Sequence, residues 1–460
     1  MSSPVLTFLG AAESVTGSKF LVDTDTSRTL VDAGLYQGLA DLRRRNWSPF
    51  PVPASGLGSA VVSHAHLDHC GFLPRLVKEG FDGPIVCSPD TAELVEIVLR
   101  DSAHLQEEDA RQANAGGYSK HRPALPLYDL EDVERTLPLL KPTEFGTVVE
   151  LAPGVRTVLH PAGHILGSST VLLEAGGRRT LFSGDLGRDH HPILRAPADP
   201  PVADAVVVES TYGDRSHPPA DPEVLAAAVR RTIGRGGTVL VPAFAVDRTE
   251  LVLLELHRLM QAGEVPRVPV YLDSPMALRA LAVYREALDT GSAQLRPDLD
   301  QVRVALGAMH VSAVPDAAGS MRLNRPGEPC IVVSASGMAT GGRVVHHLAH
   351  QLPDPRNSVV LTGYQAVGTR GRQLLDGARQ VKMHGRYVPV RAEIVDVPYF
   401  SVHADADDII GWLGRAPEPP EIVYVVHGEP SASAALARRI GADLGWPAVV
   451  PRLGERVRLD

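Results

Sequence analysis

The chain has 460 residues, more than one ordinary core holds, so two or three domains are expected. With 44% hydrophobic and 22% charged residues it is not a disordered chain. A net charge of −9 excludes a surface basic throughout, though not a local basic groove. Three cysteines (Cys70, Cys87, Cys330), without CxxC spacing, exclude a disulfide framework and fit a reducing cytoplasm. The first residues carry no signal-peptide pattern, and no apolar run approaches the roughly 18 residues of a membrane span.

Residues 5–9, 19–22 and 29–31 carry short strand patterns punctuated by Gly10, Gly17 and Gly34. Residues 59–63 form a buried-strand pattern that delivers His64 to its end. A helix is predicted over 68–79, and a longer one over 90–114, closed by Gly116-Gly117. Strands follow at 157–160 and at 170–174, the latter pairing with 179–182 across Gly176-Gly177. Another, at 205–208, ends at Glu209. Beyond a loop at 218–222, helices at 223–233 and 248–262 alternate with apolar strands at 238–241, 270–272, 331–334 and 359–362. That alternation predicts a parallel α/β layer. Short strands resume at 392–397 and 421–426, ending at His427. The expected organisation is an outer domain over 1–209 and 394–460, split by a middle domain over 210–393.

His64, His66, Asp68 and His69 fall within six residues. Imidazole and carboxylate suit hydrolytic zinc, but a catalytic zinc takes about three protein ligands and keeps an open position. Four candidates therefore point to two metals. Further ligands are sought at strand ends beside glycine: His164 after Gly163, Asp185 after Gly184, and His427 before Gly428. Seven ligands serve two ions, with one carboxylate bridging.

The segment HAHLDH resembles the HxHxDH signature of metallo-β-lactamase-fold hydrolases. Later segments resemble the β-CASP branch of RNA- and DNA-processing nucleases. They are Glu209-Ser210-Thr211-Tyr212-Gly213-Asp214-Arg215, Pro242-Ala243-Phe244-Ala245, Asp273-Ser274-Pro275-Met276, Ser334-Ala335-Ser336-Gly337-Met338, Gly363-Tyr364-Gln365 and Ser401-Val402-His403-Ala404-Asp405. The resemblance implies an αββα sandwich split by an inserted α/β β-CASP domain with a mainly parallel sheet. It implies that His64, His66 and His164 hold one zinc and Asp68, His69 and His427 the other, with Asp185 bridging; manganese or iron would suit the same ligands. Asp32 would orient the metal-site loop without binding metal. Glu209, His403 and His427 match the three motifs of the branch, and a histidine at the third resembles the RNA-processing members. The segment SVHAD departs from the more usual SAHAD or SGHAD, keeping the His and Asp. The chain also resembles the compact bacterial relatives of the cleavage and polyadenylation endonuclease subunit.

The implied activity is two-metal phosphodiester cleavage of single-stranded RNA, leaving 5′-phosphate and 3′-hydroxyl ends. His403 would be the general acid, with Glu209 fixing its ring. From Arg356 to Arg391, Arg356, Arg370, Arg372, Arg379, Lys382, Arg386 and Arg391 face only Asp376. Ser334, Ser336, Thr369 and Arg370 are expected phosphate contacts. His346, His347 and His350 are expected to form a partly exposed helical face, and Arg43-Arg44-Arg45 a solvated one that could also meet nucleic acid. A small-molecule hydrolase, a DNA nuclease and a non-catalytic RNA-processing subunit are the alternatives. Endonuclease against 5′ exonuclease action and the oligomeric state, a homodimer included, stay open.

Overall fold

The computed structural model describes residues 3–117, 119, 121–308 and 311–460. The chain divides into two compact units, one of Met1–Gln37, Asp41–Ser216 and Val402–Asp460, the other of Gly38–Ala40 and His217–Ser401.

The first unit holds two seven-stranded sheets. One runs in the order Arg456–Arg458, Val5–Phe8, Phe20–Asp23, Arg28–Val31, Ser59–Val61, Ile85–Cys87, Leu140–Pro142. The other runs Ala448–Val449, Ile422–Val425, Ala205–Val208, Arg178–Phe182, Ser169–Ala175, Val155–Pro161, Val149–Ala152. Strand alternation sends Leu6, Phe8, Phe20 and Val61 of the first sheet against Leu159, Val171, Leu173, Phe182 and Val207 of the second. Each such side chain, fully buried, contributes roughly 1.5–3 kcal/mol. The outer face of the second sheet (Leu181, Val206, Val208, Val425) meets Ile409 and Trp412 of helix Ala406–Leu413 and Leu436 of helix Pro430–Arg439. Helix Pro89–Gly116 packs on the far edge strand of the first sheet. This is the expected αββα sandwich.

Strands Arg178–Phe182, Ala205–Val208 and Ile422–Val425 are mutually parallel. Val155–Pro161 runs the same way, because Ser169–Ala175 is antiparallel to both it and Arg178–Phe182. The loops carrying His164, Asp185, Glu209 and His427 therefore leave one rim of the second sheet. The hairpin expected across Gly176-Gly177 is present, with Glu174 opposite Arg179.

The second unit is a six-stranded, wholly parallel sheet in the order Val311–Ala313, Val270–Leu272, Ile331–Ser334, Val239–Pro242, Ser358–Leu361, Glu393–Asp396. Its strands are apolar runs, as burial on both faces requires. A separate hairpin pairs Gln380–Met383 with Arg386–Pro389.

Two expectations change. The helix predicted over 68–79 is two helices, Leu67–Cys70 and Leu73–Lys78. Between them the Phe72 amide turns away to donate to Ala33 O at 2.7 Å. The strand near 392–397 was placed with the outer domain, yet Glu393–Asp396 is the edge of the middle sheet, in register with Ser358–Leu361.

Candidate metal centre

The buried strand Ser59–Val61 ends just before an extended turn, so His64 and His66 project to one side. The short helix after it then presents Asp68 and His69. This loop is braced by the neighbouring segment: Ala33 N donates to His69 O (2.7 Å) and Leu35 N to Leu67 O (2.8 Å). The contact needs glycine at 34, since a Cβ there would lie 1.6 Å from Asp68 O.

The donor atoms converge in two groups. His64, His66, His164 and Asp185 form one, and Asp68, His69 and His427 another, with atoms in each within 4.8 Å of one another. His66 Nδ1 lies 3.1 Å from His64 Nε2 and 3.3 Å from His164 Nε2. Nitrogens about 2.0–2.1 Å from a tetrahedral zinc are separated by roughly 3.3 Å, so this spacing fits an ion at their centre. Asp185 stands between the groups: Oδ2 is 3.5 Å from His64 Nε2, and Oδ1 is 3.2 Å from His69 Nε2. His427 Nε2 closes the second group, 3.1 Å from His69 Nε2 and 3.6 Å from Asp68 Oδ2.

The electrostatics suit a cation. Burial, aided by neighbouring imidazoles, pushes His64 and His164 well below the ordinary histidine value and His66 to about 4, leaving lone pairs available. Burial also opposes charge on His69, but Asp185 and Asp32 outweigh it and raise its pKa well above the usual value. Carboxylates that draw a proton onto a ring also favour a divalent ion beside it.

Three of these rings are held from behind. Asp32 Oδ2 accepts from His69 Nδ1 at 2.7 Å, and Asp32 also accepts from Ser63 N and Ser63 Oγ. Ser63 Oγ lies 3.1 Å from His64 Nδ1, and Thr211 Oγ1 lies 3.2 Å from His427 Nδ1. Such partners fix tautomer and orientation. Asp32 was expected; Ser63 and Thr211 were missed, though each sits within two residues of a motif residue.

His403 joins the rim through a bridge pairing with Gly187 and through Ala404 N donating to Leu186 O (2.7 Å). Asp405 anchors it by capping helix Ala406–Leu413 in a reciprocal box with Asp408. His403 Nδ1 is 3.2 Å from Glu209 Oε1 and 3.9 Å from Asp185 Oδ2. Glu209 also accepts from Leu186 N (2.7 Å) and Thr211 N (3.2 Å). Asp185, Glu209 and His403 form a third possible donor group by spacing alone. With both Glu209 oxygens already accepting N–H groups, the pair orients a ring better than it binds an ion.

Comparison with known families agrees with this geometry. Residues 16–237 match the metallo-β-lactamase superfamily, 249–374 the Beta-Casp domain, and 387–451 a Zn-dependent metallo-hydrolase RNA specificity domain. The chain is 36% identical to Ribonuclease TTHA0252 of Thermus thermophilus, covering 97% of this chain and 98% of that one. The chain belongs to the β-CASP branch of the metallo-β-lactamase superfamily. It is thereby a metal-dependent hydrolase. An RNase J-like protein of Methanocaldococcus jannaschii is 30% identical, with 98% of each chain covered. Transcription termination factor FttA of Pyrococcus horikoshii is 32% identical over 99% of this chain and 71% of its own length. A solved protein of unknown function from Enterococcus faecalis V583 shares the fold, with a TM-score of 0.53 and 13% identity over 99% of this chain and all of the other.

In the β-CASP unit the motif residues gather at the carboxyl ends of the parallel strands, where open α/β sheets bind ligands. Several prove structural. Ser334 is buried and donates its hydroxyl to Asp273 O (2.8 Å). Thr369 is buried; its hydroxyl donates to Ala366 O and accepts from Arg372 N. These hydroxyls are thus committed within the fold, against the phosphate role expected for them. Arg370 donates to the carbonyls of Lys382, Ala339 and Thr340, tying the hairpin down. Ser336 is half-exposed. His347 departs from the exposed face expected of it: it is fully buried, its Nε2 2.6 Å from Asp273 Oδ2, while His346 and His350 are exposed. In the first unit the buried His191 accepts from Ile193 N and Leu194 N and shapes its own loop. No helix among the described residues is long and apolar enough to cross a membrane.

Proposed function

We propose that this hydrolase is a ribonuclease that cleaves single-stranded RNA with two metal ions, leaving 5′-phosphate and 3′-hydroxyl ends. The observation that carries this reading is the pair of donor groups meeting at Asp185, with His403 3.9 Å from the same carboxylate. RNA as substrate is supported by the RNA specificity domain match and by two full-length relatives named as a ribonuclease and an RNase J-like protein.

His64, His66 and His164 would hold one ion, and Asp68, His69 and His427 the other, with Asp185 shared. Zinc fits these donors, and manganese or iron accepts the same set. When bound, the ions supply an activated water and neutralise charge on the phosphate. His403, its Nδ1–H donating to Glu209, would give a proton to the departing 3′ oxygen. Asp32, Ser63 and Thr211 keep the donor rings in place. The RNA backbone would be met by Ser336 and by the exposed Arg379, Lys382, Arg386 and Arg391 on and beside the hairpin. The three cysteines are buried and unpaired, which supports a reducing, cytoplasmic setting.

The test is cleavage of end-labelled single-stranded RNA, with free and blocked 5′ ends, by metal-loaded protein. Products with 5′-phosphates are expected, and cutting of the blocked substrate would mark internal cleavage. Failure to cut either RNA under any of the three metals would overturn the reading.

A further inference from the structure

Helix Ala40–Arg45 continues as a turn: Asn46 N donates to Arg43 O (3.2 Å), Trp47 N to Arg44 O (3.0 Å) and Ser48 N to Arg45 O (3.1 Å). Helical spacing therefore puts Trp47 on one face with Arg43 and Arg44, four and three residues before it. Between them Asn46 faces inward, while Arg45 is exposed. Asn46 is buried and doubly bonded to the Tyr36 main chain, at 2.9 Å and 2.8 Å. Arg45 lies over the Tyr36 ring, 5.6 Å from its centre. Trp47 itself is 54% exposed, whereas Trp412 is buried and Trp446 half-buried.

The exposed indole stands on a loop that Asn46 clips to the main chain of Tyr36. Its neighbours on that face are guanidinium groups, in a chain whose net charge is −9. Arg44 pairs with Asp41, but both side chains are more than three-quarters exposed, and such pairs hold weakly. A single indole between guanidinium groups is far smaller than the roughly 800 Å² per partner of a stable protein interface. Flat aromatic surface beside mobile cations is what single-stranded nucleic acid binds, base on ring and phosphate on arginine. The loop is also mechanically close to the metal centre. Leu35, next to the clipped Tyr36, is bonded to Leu67 within the donor loop.

We propose that Trp47, Arg43 and Arg44 form a single-stranded RNA contact outside the metal centre, with the indole stacking on one base and the arginines holding flanking phosphates. This rests on the RNA reading above and adds a second point of grip to it. The test is steady-state cleavage of a single-stranded oligouridylate by wild-type, Trp47→Phe, Trp47→Ala and Arg43→Glu/Arg44→Glu proteins, with metal content measured. A parallel arm follows tryptophan emission on adding a nuclease-resistant phosphorothioate oligouridylate. Trp47→Ala should raise KM about ten-fold with kcat and metal content unchanged, Trp47→Phe should raise it less, and the double variant should flatten the salt dependence. Wild-type emission should be quenched, and the quench should vanish in Trp47→Phe. An unchanged KM in Trp47→Ala with no quench would overturn the proposal while leaving the ribonuclease reading intact. Emission that changes with protein concentration alone would overturn it in favour of a second copy of the chain. If the wild type cuts no RNA, the ribonuclease reading falls, and the quench alone decides the contact.

Discussion

His403 Nδ1 lies 3.2 Å from Glu209 Oε1, and that carboxylate is wholly buried and held by two backbone amides. On the proposed reading, a ring so fixed would serve proton transfer and not metal binding. His403→Ala is expected to lower kcat by about 10²–10⁴ with metal content unchanged. Glu209→Gln keeps the size but removes the charge, and should cost less. Rapid-quench cleavage and metal analysis on the same samples check both; loss of an ion from His403→Ala would move this histidine into the donor set.

Asp32 is 2.7 Å from His69 Nδ1, sits behind the donor loop and adopts a left-handed backbone with φ of 57°. On the proposed reading, its effect on chemistry would pass through His69. Asp32→Asn should weaken metal affinity by about 10–100-fold, with activity largely restored at high metal concentration. Activity that stays low at saturating metal would show that Asp32 does more than position the ring.

The shared position of Asp185 makes the donor groups unequal under mutation. His164→Ala removes a donor from one group only and should leave one tightly held ion per chain. Asp185→Asn touches both groups and should weaken both sites. Metal counted after exhaustive dialysis separates the cases, and equal loss in the two variants would refute separate sites.

The donor cluster at 64–69 was legible because its candidate donors are local, and His164, Asp185 and His427 because each follows an apolar strand beside a glycine. Pairings across long separations were not. Helical periodicity put His346, His347 and His350 on a helix, but its distant partners, Asp273 and Asn324, are what hold His347 inward. Four-residue strands carry too little pattern to name their sheet, which is why Glu393–Asp396 was placed in the wrong layer. The hairpin Gln380–Met383 with Arg386–Pro389 escaped notice because its strands are four residues each and its turn, His384-Gly385, has histidine where Asn or Asp is usual.

Lys19 is buried, with Nζ donating to Gly34 O and lying 4.6 Å and 4.8 Å from the ring centres of Tyr36 and Phe72. Burial lowers its pKa from 10.5 to about 7. Between these values the unfolded chain binds the proton and the folded chain does not, so stability rises with pH across that window. The contribution is full above pH 10.5 and is lost as pH falls to 7. Lys19→Met keeps the length and removes the titration. Wild type should therefore gain on the variant by at most about 4–5 kcal/mol between those limits. The difference between the two proteins cancels the pH dependence of their common metal centre. Urea denaturation of both across the window checks this; parallel stability curves would mean that the Gly34 carbonyl and the two rings hold the ammonium charged.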